Sequence, residues 1–154
     1  MDLILYSLII LAADQLSKFL IRSTLRPHQS IPIITDVFHI TYVQNTGAAF
    51  SILRGKTYFF TMVSILIILM IVYYAKKIPA GKKLLRFTLA LICGGAAGNL
   101  VDRLRYGYVV DFLDFRVWPV FNIADSAIVA GVLILAYLIA FDAEIQGLLN
   151  KDGR

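Results

Sequence analysis

The stretch Tyr58-Phe-Phe-Thr-Met-Val-Ser-Ile-Leu-Ile-Ile-Leu-Met-Ile-Val-Tyr-Tyr-Ala75 carries no charged side chain over a length that matches the core of a bilayer. A spanning helix needs about 20 mostly apolar residues, with a range of about 17–25. Working outward from it, three further stretches meet that requirement. The first runs from about Leu3 to Ile21 and is interrupted by Asp14, Gln15 and Lys18. Another runs from about Leu84 to Val101 and turns rich in glycine and alanine toward its end. The last runs from about Phe121 to Phe141, with Asn122 and Asp125 near its start. The pattern predicts an α-helical polytopic membrane protein, one domain over 1–154, with spans at about 3–21, 58–75, 84–101 and 121–141.

Composition agrees. The chain is 59% hydrophobic and 16% charged, against about 45–50% and about 25% for soluble domains. The formal net charge of +5 would suggest nucleic acid in a soluble protein. Here it reads as topology and anionic lipid, and no nucleic-acid-binding signature accompanies it. The single Cys93 leaves no intrachain disulfide and no CxxC metal site. The N-terminal apolar stretch lacks a basic leader and passes straight into Asp14 and Gln15, so it reads as a retained span.

Lysine and arginine set the orientation. Lys76, Lys77, Lys82, Lys83 and Arg86 crowd the loop at about 76–83 and the start of the next span, which places that loop in the cytoplasm. Both termini are then cytoplasmic, including Lys151 and Arg154. The loops at about 22–57 and 102–120 face outward, although Arg22, Arg26, Arg54, Lys56, Arg103, Arg105 and Arg116 fall in them. The outer loops are more than linkers. Ile31 to Val43 is β-branched and aromatic, Asn45-Thr-Gly47 is a turn signal, and Tyr108 to Phe115 reads as a strand. A small β-sheet at the outer surface follows. Period-two alternation puts Asp111 with Val109 and Leu113, and Asp114 on the opposite face toward Arg116 or solvent.

Ionisable side chains in a span cost roughly 2.5–3.5 kcal/mol each at the helix centre, so they mark an interior or a cavity. Three clusters occur, all near the outer ends. Asp14, Ser17 and Lys18 share one face, as a local ion pair or as part of a site. Gly94 and Gly98 form a small-xxx-small face for close helix approach. Asn99, Asp102 and Arg103 follow on one face, to cap the helix end or to fix a network. Asn122 and Asp125 stand one turn apart, where a carboxylate at a helix N-terminus is unremarkable by itself. Asp111, on a strand able to fold back toward Asp125, changes that reading. Two converging carboxylates cannot both ionise easily, and such a pair can activate water and polarise a peptide carbonyl. Other nucleophiles fit less well. Cys93 sits mid-span with no histidine nearby in sequence, His28 and His39 have no metal-ligand spacing, and no GxSxG elbow occurs.

Five segments together resemble lipoprotein signal peptidase (signal peptidase II), a family of bacterial membrane aspartyl proteases. They are Asp14-Gln-Leu-Ser-Lys18, Asn45-Thr-Gly-Ala-Ala-Phe-Ser51, Gly94-Gly-Ala-Ala-Gly-Asn-Leu-Val-Asp-Arg103, Val109-Val-Asp-Phe112 and Phe121-Asn-Ile-Ala-Asp-Ser126. They come in the family's order and extend over most of the chain. The resemblance implies Asp111 and Asp125 as the catalytic pair. It implies supporting or substrate-binding roles for Asp14, Lys18, Asn45, Gly47, Asn99, Asp102, Arg103 and Asn122. It implies a prolipoprotein substrate already carrying diacylglycerol, cleaved just before its lipidated cysteine at the outer face of the cytoplasmic membrane. Membrane lipid is the other expected partner, and no metal or organic cofactor is implied. Four spans enclosing their own polar face lead us to expect a monomer.

Two other classes compete. A small transporter or proton conductor would also carry intramembrane carboxylates, but it would show flux in liposomes and no proteolysis. A non-catalytic scaffold would tolerate Asp→Asn at positions 111 and 125.

Overall fold

The computed structural model describes residues 2–47, 57–142 and 145. The elements run α1 (Asp2–Thr24), β1 (Ser30–Ile34), β2 (Phe38–Asn45), α2 (Thr57–Ala75), α3 (Lys83–Tyr106), β3 (Val109–Asp114) and α4 (Ile123–Phe141). All four helices are long and apolar enough to cross a membrane. The expected segments at Ala48 to Ser51, Arg54, Lys56, Lys151 and Arg154 lie outside the described residues.

The small-residue run of α3 makes it the central helix, packed against α1, α2 and α4. A Cβ on Gly94 would strike Ser7 O and Ile10 of α1, and one on Gly98 would strike the Asp14 carboxylate. A Cβ on Gly95 would lie 2.5 Å from Ala124 O at the start of α4. The small face therefore serves two neighbours: Gly94 and Gly98 admit α1, and Gly95 admits α4. A Gly95→Leu protein should lose several °C or more of melting temperature in detergent, because backbone blocks the new side chain. An unchanged melting curve would contradict this packing. The outer faces of the bundle stay apolar and exposed, as at Leu16, Leu66 and Val132, which suits lipid.

Three boundaries differ from the expected ones. α1 continues to Thr24. α3 continues to Tyr106 and ends on Gly107, whose φ of 75° is the left-handed stop that glycine adopts without strain. Asp102 and Arg103 therefore lie inside a helix and not in the loop. α4 begins at Ile123, because Phe121 is drawn into a bridge with Leu113 and Asn122 caps the helix.

The strands form an antiparallel sheet in the order β1-β2-β3. β2 and β3 pair with Ile40 opposite Leu113 and Val43 opposite Asp111, with a bulge between. Leu25, Tyr42 and Val110 form a second small core that seats this sheet on the end of α1. Thr57 Oγ1 donates to Gly107 O at 3.1 Å and so ties the start of α2 to the end of α3.

Candidate active site

Lys18 is 2% exposed, inside an apolar bundle. A buried ammonium needs acceptors, and it has three. Its Nζ lies 2.9 Å from Asp14 Oδ2 and 3.1 Å from Asp102 Oδ2. It also donates to Asn99 Oδ1 at 2.9 Å. Gln15 Nε2 donates to Asp102 Oδ1 at 3.0 Å and reaches Gly98 O at 3.2 Å. The two carboxylates then hold backbone donors that no helix or ladder satisfies. Asp14 Oδ1 accepts the Ala124 N–H at 2.9 Å in the first turn of α4. Asp102 Oδ2 accepts the Val110 N–H of β3 at 3.0 Å. One ion cluster thus fixes where α4 starts and where β3 crosses the helix ends.

Three asparagines transmit that order to Asp111 and Asp125. Asn99 turns its oxygen to Lys18, a pure donor, so its Nδ2 must face the other way, and it donates to Asp125 Oδ1 at 2.7 Å. Asn122 turns its oxygen to the Asp125 N–H at 2.9 Å as the cap of α4, so its Nδ2 donates to Asp111 Oδ1 at 2.7 Å. Asn45 turns its oxygen to the Gly47 N–H at 2.9 Å, and its Nδ2 donates to Asp111 Oδ2 at 2.8 Å. Each amide is oriented by an obligate donor, and each presents N–H to a carboxylate.

Asp111 and Asp125 line a single cavity of about 720 Å³ together with Asn45, Gly47, Asn99 and Arg103. Asp14, Lys18, Asp102 and Asn122 lie behind its wall. All ten expected site residues therefore meet in one connected assembly. Burial pushes the Asp111 carboxyl up, and the nearby Asp125 charge pushes it further, to about 7; the Asn45 and Asn122 bonds pull the other way. The local charges point the same way: four carboxylates (14, 102, 111, 125) stand against the cations of Lys18 and Arg103. Arg103 donates to Ser64 Oγ at 3.3 Å and lies 5.5 Å from the centre of the Phe60 ring, against the cavity wall.

Asp114 turns away, as alternation predicts. Burial pushes its carboxyl up, but Thr41, the Arg116 N–H and the Arg116 guanidinium more than offset this and hold it below the usual carboxylate range. It is buried, not solvated. Sequence reasoning did not single out Gln15, Ser64 or Trp118. Gln15 stood in a quoted motif, and Ser64 was one of two aliphatic hydroxyls, with Thr61, in an uncharged span.

A family model described as signal peptidase (SPase) II matches residues 6–141. The chain belongs to the signal peptidase II family. Relatives of that family agree over almost the whole length. A lipoprotein signal peptidase of Moorella thermoacetica is 52% identical over 147 residues, covering 96% of this chain and 98% of that protein. One from Halothermothrix orenii is 50% identical, covering 85% of this chain and 90% of that protein. A solved bacterial membrane enzyme, determined by the in meso method at 1.9 Å, superposes with a TM-score of 0.83 at 34% identity, covering 92% of this chain and 94% of that one. A second, at 2.3 Å, gives a TM-score of 0.82 at 35% identity, covering 90% of this chain and 86% of that one. The chain is thus a multi-pass membrane protein of a peptidase family, built on the fold of those enzymes.

Proposed function

We propose that this protein is an aspartic endopeptidase that removes the signal peptide from diacylglyceryl-modified prolipoproteins, cleaving just before the lipidated cysteine. One observation carries the mechanism: Asp111 from a strand and Asp125 from a helix face the same cavity, each held by asparagine N–H groups. With one proton between them, the ionised carboxylate takes a proton from water as the water oxygen bonds the scissile carbonyl carbon. The protonated carboxyl gives its proton to the carbonyl oxygen. Collapse of the tetrahedral species breaks the C–N bond: the carboxyl that took the water proton gives it to the leaving amine, and the other carboxylate takes back a proton from the gem-diol as the C=O reforms, which restores the single shared proton. Asn45, Asn99 and Asn122 keep the carboxylates in place, and the Lys18 cluster keeps the asparagines in place. Arg103 and Gly47 contact the substrate backbone from the cavity wall.

The cavity suits a lipid-anchored peptide. Below the carboxylates its wall is apolar, with Phe60, Val63 and Ile67 from α2 and Val129, Ala130 and Leu133 from α4. From Asp125 to Leu133 a helix rises about 12 Å, a depth that keeps acyl chain or apolar signal peptide out of water. The basic loop at 76–82 lies at the opposite end of the helices from the site, so the site faces outward by the positive-inside rule. A transporter reading is disfavoured by the same layout: the carboxylates collect at one end, and α2 carries no charge.

Purified protein incubated with a diacylglyceryl-modified prolipoprotein should yield two masses: a signal peptide ending just before the cysteine, and a mature chain beginning with the lipidated cysteine. Cleavage at another bond would contradict the reading. Ion or proton flux in liposomes without any cleavage would favour the transporter.

A further inference from the structure

Ser64 is a hydroxyl that the proposed reaction does not use, set in a helix that carries no charge. It is 7% exposed and lies where α2 meets both α3 and the cavity. A hydroxyl in an apolar helix ordinarily spends its hydrogen on the backbone one turn back. Thr61 does so with Thr57 O at 2.8 Å, Thr88 with Leu84 O at 2.8 Å, and Ser126 with Asn122 O at 2.9 Å. Ser64 differs. Its oxygen accepts from Arg103 Nη1 on α3 at 3.3 Å, and it donates to no carbonyl among the described residues.

Arg103 needs that acceptor, because a guanidinium away from water is costly without one. Among the described residues the ion pairs belong to Lys18 and Arg116, and no carboxylate comes within 4.0 Å of the Arg103 guanidinium. The charges of Asp125, Asp111 and Asp102 act on it only from further away. What touches it comes from α2. The Ser64 oxygen takes one N–H, and one turn earlier the Phe60 ring stands with its centre 5.5 Å away. Phe60, Ser64 and Arg103 all line the cavity that Asp111 and Asp125 face. A guanidinium carries five N–H donors in a rigid fork, so fixing one fixes the direction of the rest. That direction is set from α2, and the remaining donors are left for what the cavity admits.

We propose that Ser64 is a positioning residue for Arg103: with Phe60 it aims the guanidinium at the backbone carbonyls of the last turn of the signal peptide. This role rests on the peptidase reading above. A protease cuts extended chain, so a signal peptide must leave its helix before the scissile bond. The last four carbonyls of that helix then have no partner within it, and lipid offers none. They are also the negative end of the helix, which suits a cation. An arginine free to swing would have to be ordered each time a substrate arrived, whereas one already tied to α2 is ordered in advance.

Steady-state cleavage of a diacylglyceryl-modified prolipoprotein by wild type, Ser64→Ala and Ser64→Thr tests this, with melting temperatures taken alongside. Ser64→Ala should raise KM about 10-fold while kcat stays within about 2-fold, because the weakened contact is to backbone away from the reacting bond. Ser64→Thr keeps the oxygen and should return KM to within about 3-fold of the wild type. A serine that only packs would instead change the melting temperature and leave KM of the folded enzyme as it was. An unchanged KM in Ser64→Ala would overturn the proposal. A Ser64→Thr protein as impaired as Ser64→Ala would overturn it too, since the oxygen would then not be what matters. Both of those results leave the peptidase reading standing. A wild type that does not cleave the lipidated prolipoprotein overturns that reading, and this role with it.

Discussion

Asp111→Asn and Asp125→Asn proteins should each cleave a diacylglyceryl prolipoprotein about 10³-fold or more slowly than the wild type while remaining folded. The loss is large because the proposed reaction needs one carboxyl to accept a proton and the other to give one, and an amide does neither. Folding should survive because both substitutions are isosteric and the neighbouring network remains. For Asp111 the stability effect has a definite sign. Its carboxyl titrates at about 7 in the folded chain against an ordinary value of 3.8. Burial and the Asp125 charge therefore make protonation of Asp111 stabilising in the folded chain. The contribution is present below about pH 4 and is lost as pH rises through about 7, where a buried charge forms. Wild-type protein should therefore melt markedly lower at about pH 8 than at about pH 5, and Asp111→Asn should flatten that dependence. The replacement must also set its NH₂ against the N–H of Asn45 or Asn122, since both are fixed as donors. That mismatch costs about 1–3 kcal/mol. Low-pH stability should fall by that order even as the pH dependence flattens. Near-wild-type cleavage by either folded variant would remove that aspartate from the mechanism.

Lys18→Met should be the most damaging single change to the fold among these site residues. The methionine fills much of the same volume, but Asp14 and Asp102 lose the one ammonium that contacts both. Breaking a buried pair by removing one partner costs about 3–5 kcal/mol. The consequence spreads along the contacts already described. Asp14 holds the Ala124 N–H, Asp102 holds the Val110 N–H, and Asn99 takes its orientation from Lys18. With no ammonium, the Asn99 amide can flip and turn its oxygen on Asp125. Cleavage should fall along with melting temperature. Adding Asp14→Asn should recover part of the stability, because it removes one of the stranded charges. A coupling of about 0.5–3 kcal/mol in that double-mutant cycle is expected. Strict additivity would mean that the two side chains do not act as a pair.

Four helices were legible because hydropathy over a span is a sum of many residues, and no single misreading changes it. The strands were legible in outline from β-branched runs, and the opposite facing of Asp111 and Asp114 followed from period two. Helix ends were less legible. α3 runs past Val101 because Asp102 to Tyr106 are ordinary helix formers and the stop is Gly107, a signal that hydropathy does not register. The helix of Asp125 was legible, but not that its cap, Asn122, also reaches Asp111. That link requires β3 to fold back over the bundle, and the bond from Asn45 to Asp111 spans 66 positions in the chain. Gln15 was visible only as an interruption of the first span and Ser64 not at all, because one uncharged polar residue in a span gives no pattern. Each acquires meaning only from the helix it faces, Asp102 on α3 for Gln15 and Arg103 on α3 for Ser64.

The pH–rate profile of wild-type cleavage, taken as kcat/KM from about pH 4 to about pH 10 in one detergent, tests most directly whether two carboxylates share one proton. The account predicts a bell, falling on the acid side as both carboxyls become protonated and on the alkaline side as both ionise. A rate that climbs to a plateau and holds above about pH 8 would show that the fully ionised pair is active, and would contradict it.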